Sequence, residues 1–220
     1  MSNRAARVRT ALLVSFLLSG FCSLLYEVLW MRALSLVLGN TLFSTSLILA
    51  VFMGGLALGS YLFGRWTKRW PGPSATLRVY ALMELGIGLW GLALLGSRSR
   101  IEAVLVSFGH ISPHILAFAE ALIGATLLLP PTMLMGGTFP VLSVFFGRGR
   151  GERLGGEIGR LYAVNTLGAA LGSFSSGFLL IPALGLHRSQ TLASAINLFV
   201  ALIALVCARA VSAEDQAEAP

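Results

Sequence analysis

Leu42 to Gly64 reads LFSTSLILAVFMGGLALGSYLFG, 23 residues without one charged side chain. A helix of that length reaches roughly 34 Å, enough to cross the ~30 Å hydrocarbon core of a bilayer. The rest of the chain agrees: 56% of its 220 residues are apolar, 25 are glycine and only 11% are charged. The charged share is under half the roughly 25% of a globular domain, so too little polar surface exists to cover a soluble sphere. Comparable stretches lie at about 11–30, 77–96, 117–146, 158–182 and 190–208. The expected fold is an all-α membrane protein of six transmembrane helices.

Shifting the chain by 113 residues lays Ala50–Gly64 (AVFMGGLALGSYLFG) over Ala163–Gly177 (AVNTLGAALGSFSSG), with eight identities in fifteen positions. The same shift puts Tyr26, Val28 and Leu29 on Phe139, Val141 and Leu142, and Glu84, Leu85, Leu89 and Leu92 on Asn197, Leu198, Leu202 and Leu205. The first three helices therefore map onto the last three. Because each unit crosses three times, the second copy is expected upside down, as two inverted three-helix repeats forming half of a major-facilitator-like bundle. The expected single membrane domain comprises repeat 1 at about 8–97, an interfacial helix at about 101–112, repeat 2 at about 117–210 and a disordered tail at 211–220. Gly55 with Gly59 and Gly168 with Gly172 recur as small-xxx-small pairs. Such pairs let two backbones approach closely where lipid gives helices no hydrophobic reason to associate. The second and fifth helices are accordingly expected at the centre of the bundle.

The net charge of +7 raises nucleic acid as a partner, but the cations fall between apolar segments, which dismisses it. With the N-terminus in the cytoplasm, twelve of the 16 basic residues lie inside and four outside, which favours an inner (plasma) membrane protein with both termini cytoplasmic. Cys22 and Cys207 are too far apart in their segments to read as a disulfide or metal framework. His110 and His114 alone leave a zinc shell half empty, so no metal is expected. The G-x-G-x-x-G of Gly86, Gly88 and Gly91 sits in an apolar 20-mer with no strand before it, so no dinucleotide or other cofactor is expected.

Glu27, Glu84, Glu120, Asn165 and Asn197 lie within apolar helices, where a carboxylate costs at least a few kcal/mol unless neutralised, paired or wetted. One reading is a cavity whose carboxylates, chiefly Glu27 and Glu84, attract a cationic or proton-coupled ligand; the other is fixed interior ties, Glu27 to Arg32 and Glu84 to Arg160 or Arg78. By position, Glu84, Asn165 and Arg160 are expected in an inner polar layer, and Glu27, Arg32, Glu120 and Asn197 in an outer one. Pro130, Pro131, Gly136, Gly137 and Pro140 are expected to kink or break the fourth helix, exposing Thr132 and Thr138 to a ligand. No nucleophile and base can be assembled into a catalytic constellation, so the balance is against an enzyme.

Ser19–Arg32 (SGFCSLLYEVLWMR), Leu128–Leu142 (LLPPTMLMGGTFPVL) and Gly159–Gly172 (GRLYAVNTLGAALG) resemble the N-terminal membrane module of spermidine synthase-like proteins, also described as fused major facilitator/spermidine synthase proteins. The resemblance covers nearly the whole chain and includes Tyr26, Glu27 and the run from Asn165 to Gly168. It implies a soluble aminopropyltransferase-like domain after the membrane region, which the residues up to Pro220 do not contain. No family catalytic residue is therefore carried over. The expectation is a stand-alone membrane half that binds or transports a small, polyamine-like cation, working as a homodimer. The competing expectation is a non-transporting anchor for a separate soluble synthase-like protein, with the lipid bilayer as the constant partner in both.

Overall fold

The computed structural model describes residues 3–38, 42–70, 72–96, 113–148 and 154–217. They form α1 (Asn3–Leu38), α2 (Leu42–Trp66), α3 (Pro73–Leu94), α4 (Pro113–Gly147), α5 (Leu154–Ser175) and α6 (Ile181–Ala217). By length and composition, five stretches can cross a membrane: Arg4–Ser35, Leu42–Trp66, Pro73–Leu94, Ala121–Gly147 and Leu154–Ala213. They mark a multi-pass membrane protein. The fifth stretch is 60 residues long and is interrupted twice, by a π-helical turn at Ser176–Leu180 and by Gly185 at φ 76°, ψ 171°. That backbone region is essentially reserved for glycine. The interfacial helix expected at 101–112, and with it His110, lies outside the described residues, as does the side chain of His114. The tail expected to be disordered from 211 continues α6 as helix to Ala217.

Local chemistry sets the ends of the elements. Thr67 Oγ1 donates to the Gly64 carbonyl at 2.8 Å, where α2 tightens into a 3-10 turn at Thr67–Arg69. Pro73 occupies the first turn of α3, where its missing N–H leaves nothing unsatisfied, behind an extended Gly72. Arg9 of α1 donates to the Phe146 carbonyl in the last turn of α4 and pairs with Glu157 in the first turn of α5 at 2.9 Å. One guanidinium thus serves a helix C-terminus and the acidic residue of a helix N-terminus.

Pro130, Pro131 and Pro140 do not break α4, which runs helical from Pro113 to Gly147. A proline frees the carbonyl four residues before it. Pro131 frees that of Leu127, and Trp90 Nε1 of α3 donates to it at 3.0 Å. The lost bond is replaced from a neighbouring helix, so the expected break is absent.

α2 packs along α4, α1 along α5 and α3 along α6, with α1 also on α6 and α3 also on α4. The four paired glycines all sit at these seams. A Cβ on Gly55 would collide with the Thr132 side chain and one on Gly59 with the Met133 carbonyl, both on α4. Gly168 and Gly172 abut the Leu17 and Phe21 carbonyls of α1 in the same way. The pairs bring α2 to α4 and α5 to α1. They do not put α2 and α5 at the centre: α1 is 56% enclosed over its apolar window and α2 only 28%. The decoy glycines serve packing too, Gly88 against Ser194 and Leu198, and Gly91 against Tyr26 and Ser194.

Two apolar clusters fill the bundle. One gathers Leu12, Phe16, Tyr80, Leu142, Phe146 and Val200; the other gathers Cys22, Tyr26, Trp30, Phe52, Ile87 and Ala193. The polar residues of interest lie where these clusters meet.

Candidate functional site: a buried polar seam

α1, α3 and α6 meet along a seam that carries a polar residue at nearly every turn. α1 contributes Ser15, Ser19, Cys22 and Tyr26; α3 contributes Tyr80 and Glu84; α6 contributes Ser189, Gln190, Ser194 and Asn197, all buried. Spacings of three and four residues place Ser15, Ser19, Cys22 and Tyr26 on one face of α1, Tyr80 and Glu84 on one face of α3, and Gln190, Ser194 and Asn197 on one face of α6. Toward one end, Tyr26 Oη and Ser194 Oγ share a hydrogen bond of 2.9 Å, Gln190 Nε2 donates to the Gly91 carbonyl at 2.6 Å, and Cys22 Sγ donates to the Ala193 carbonyl at 3.5 Å. Gly91 has no side chain because Tyr26 Oη and Ser194 Oγ occupy that space.

At the middle, Asn197 Nδ2 donates to Glu84 Oε2 at 2.6 Å, and both residues are 1% exposed or less. Ser19 and Tyr80 face the same carboxyl. Glu84 is the twelfth of the 22 residues of α3, so the pair sits at mid-height. The two residues are 113 positions apart, the same shift that lays Ala50–Gly64 over Ala163–Gly177.

This bond corrects the expectation of two polar layers, because Glu84 and Asn197 lie at one depth. The expected ion-pair ties are not formed: Arg32, Arg78 and Arg160 are exposed, and among the described residues the ion pair is Arg9 with Glu157. Tyr26 is in the seam, stacked on Trp30 with ring centroids 4.8 Å apart. Glu27 is on the adjoining face of α1, 8% exposed, with Oε2 unpartnered. Thr132 and Thr138 are buried, but their hydroxyls donate to their own helix, to the Leu128 and Met135 carbonyls at 2.6 and 2.7 Å. Asn165 is half-buried on α5 against Gly20 of α1. The side chain of Glu120 lies outside the described residues.

Sequence reasoning missed Ser19, Tyr80, Gln190 and Ser194. The signal was present as a periodicity: residues 15, 19, 22 and 26, and residues 190, 194 and 197, are polar or thiol side chains at helical spacing in otherwise apolar segments.

The buried polar atoms without a partner among the described residues are chemically lopsided. Glu27 Oε2, Glu84 Oε1 and Asn197 Oδ1 can only accept when the carboxyls are ionised, whereas Trp30 Nε1 alone can only donate. The hydroxyls of Ser15, Tyr80, Ser143, Ser176 and Ser189 can do either. No group of three or more metal-ligating His, Cys, Asp or Glu side chains occurs among the described residues.

The fold and seam define a helical, multi-pass membrane module with a polar interior. Its sequence is homologous to the N-terminal part of polyamine aminopropyltransferases. It is 31% identical to the polyamine aminopropyltransferase of Corynebacterium efficiens over 199 residues, covering 88% of this chain and 34% of the relative. The Mycobacterium tuberculosis protein of the same name is 28% identical over 200 residues, covering 90% and 35%, and polyamine aminopropyltransferase 2 of Streptomyces coelicolor 27% over 208 residues, covering 90% and 34%. The chain thus spans about a third of the length of the curated relatives it matches. No family model matches the sequence, and no solved structure does.

Proposed function

We propose that the chain is the membrane half of a polyamine-handling system and binds a small organic cation in the interior reached past Glu27, with Glu84 and Asn197 behind it. The observation that carries this reading is the excess of buried acceptor oxygens without donors. Each unsatisfied buried group costs about 1–3 kcal/mol, more when charged, and lipid supplies no donor. A ligand rich in N–H donors and positive charge corrects that deficit. The relatives' name, aminopropyltransferase, favours a polyamine among such ligands.

In the same reading the 60-residue apolar stretch crosses twice, turning at Gly185, which makes six crossings with both termini cytoplasmic. The inverted repeat is supported by the packing. Exchanging the halves turns the α2 and α4 pair into the α5 and α1 pair, and leaves the α3 and α6 pair unchanged. It also carries Phe21, which abuts Gly172, to Leu134, one position from the Met133 that abuts Gly59. Ligand sites of inverted-repeat transporters lie at the repeat interface near the midplane, which is where Glu84 and Asn197 meet. A second copy, or another half, would complete a pathway.

Saturable binding of radiolabelled spermidine to the chain in lipid nanodiscs tests the reading. Binding is expected in the wild type and weakened about tenfold or more by Glu27→Gln. A chain that shows no saturable binding is instead an anchor, and equal binding by Glu27→Gln removes Glu27 from the site. The anchor reading has its own support, since the relatives extend over about three times the matched length under an enzyme's name.

A further inference from the structure

Glu84 is fully enclosed where α1, α3 and α6 meet, and nothing positive comes near it. Asn197 Nδ2 donates to its Oε2 at 2.6 Å, and Ser19 and Tyr80 bring hydroxyls to the same carboxyl. All three groups are neutral. Facing the carboxyl are Ser19, Cys22 and Tyr26 of α1, Tyr80 of α3 and Asn197 of α6. α4, which also packs on α3, has no titratable residue from Ala121 to Gly147. Among the described residues every arginine but Arg9 is exposed, and Arg9 pairs with Glu157.

The Asn197 amide is equally enclosed, at 1% exposure. Its Oδ1 can only accept and has no partner, and Glu84 Oε1 has none either. Two oxygens on a pair already joined by one hydrogen bond need a single donor between them. An ionised carboxylate supplies none: it leaves the amide oxygen unpaired and buries a charge with no opposite charge beside it. A carboxylic acid does supply one. A proton on Oε1, given to Oδ1, satisfies both atoms and removes the charge.

We infer that Glu84 is a proton-binding site: as a neutral acid its Oε1 donates to Asn197 Oδ1 while Asn197 Nδ2 donates to Oε2, a two-bond ring that latches α3 to α6. The inference stands on the pair's own geometry and holds whether or not the interior takes a polyamine. Parting α3 from α6 admits water, the Oε1–H bond breaks with its electron pair left on Oε1, and the proton passes to that water. Opening of the seam and release of one proton are then a single event. The proton fills at Glu84 the place of the donor that an organic cation would bring, so the two are alternatives on that carboxyl. While the latch is shut, Glu27 Oε2 is the acceptor left to a cation.

Infrared spectroscopy and thermal unfolding of the full chain in nanodiscs test this together. At neutral pH the wild type is expected to show the carbonyl band of a neutral carboxylic acid that Glu84→Gln loses. Unfolding wets the carboxyl and frees its proton, so the folded chain holds more protons than the unfolded one, and stability falls as the pH rises. The wild-type unfolding midpoint is therefore expected to drop by several degrees more than that of Glu84→Gln on raising the pH through neutrality. The amide of Gln has the length of the acid and can rebuild both bonds, so at acid pH this variant is expected to match the wild type. Absence of a band that depends on Glu84, or identical pH profiles for the two chains, overturns the inference. A Glu84→Gln chain that fails to fold, or is less stable than the wild type at acid pH, also overturns it, because the neutral acid and the amide are then not equivalent.

Discussion

Gly54 and Gly55 are neighbours in the chain and opposite in consequence. A Cβ on Gly54 meets nothing within 4 Å, whereas one on Gly55 strikes Thr132. Gly59 and Gly168 are tighter in kind, because what their Cβ would strike is backbone, the Met133 and Leu17 carbonyls, which no rotamer change can move. Gly59→Ala and Gly168→Ala are therefore expected to destabilise the bundle by about 1–3 kcal/mol each, while Gly54→Ala leaves it unchanged. Unfolding in mixed micelles with a denaturing detergent reads the difference. The small-xxx-small spacing made Gly55, Gly59, Gly168 and Gly172 legible in the sequence, but spacing names a flat helix face and not the neighbour it meets. That is why the pairing of α2 with α4 and of α5 with α1 had to come from the structure. The same limit applied to Glu84. Its burial was legible from its apolar context, but its partner was not, because charge pairing suggested an arginine and three-dimensional proximity supplied Asn197.

At the scale of the element, α4 shows how one helix tolerates prolines that it should not. Pro131 leaves the Leu127 carbonyl without its intrahelical donor, and the Trp90 indole of α3 takes over at 3.0 Å. Trp90→Phe keeps most of the apolar contact and removes the donor. It is expected to lower stability by about 1–3 kcal/mol, the cost of a buried carbonyl left unpaired, and combining it with Pro131→Ala should abolish most of that loss. Thermal unfolding of the single and double variants measures this. The proline cluster reads as a kink or break in the sequence because proline's effect is local, whereas the repair comes from a residue 37 positions away. The real interruptions, the π-helical turn at Ser176–Leu180 and the turn at Gly185, fall where the residues carry no proline signal of that strength. A periodic reading merged or split the helices there only by hydropathy, and helix ends were misplaced by up to nine residues for the same reason: polar termini such as Asn3–Thr10 continue a helix that packing supports.

For the whole molecule, the proposed inverted repeat depends on the Glu84 and Asn197 pair lying on the axis that would relate the two halves. Residues that an internal two-fold exchanges can touch only on that axis, and these two are 113 positions apart and 2.6 Å from each other. Class and approximate span number were legible from composition, since 11% charge admits no soluble fold. The proposed relatedness of the halves starts from a shift in the sequence, and a shift carries no distances, so which positions meet across it came from the structure. Exchanging the two residues tests the claim most directly. Glu84→Asn leaves two amides facing each other, and Asn197→Glu brings two carboxyls together, so each single change is expected to lower the unfolding midpoint in nanodiscs. The double exchange, with Asn at 84 and Glu at 197, rebuilds the same pair with its direction reversed. If the axis passes between them, the doubly exchanged chain recovers most of the wild-type midpoint. A double variant as unstable as the sum of its single changes would contradict the account.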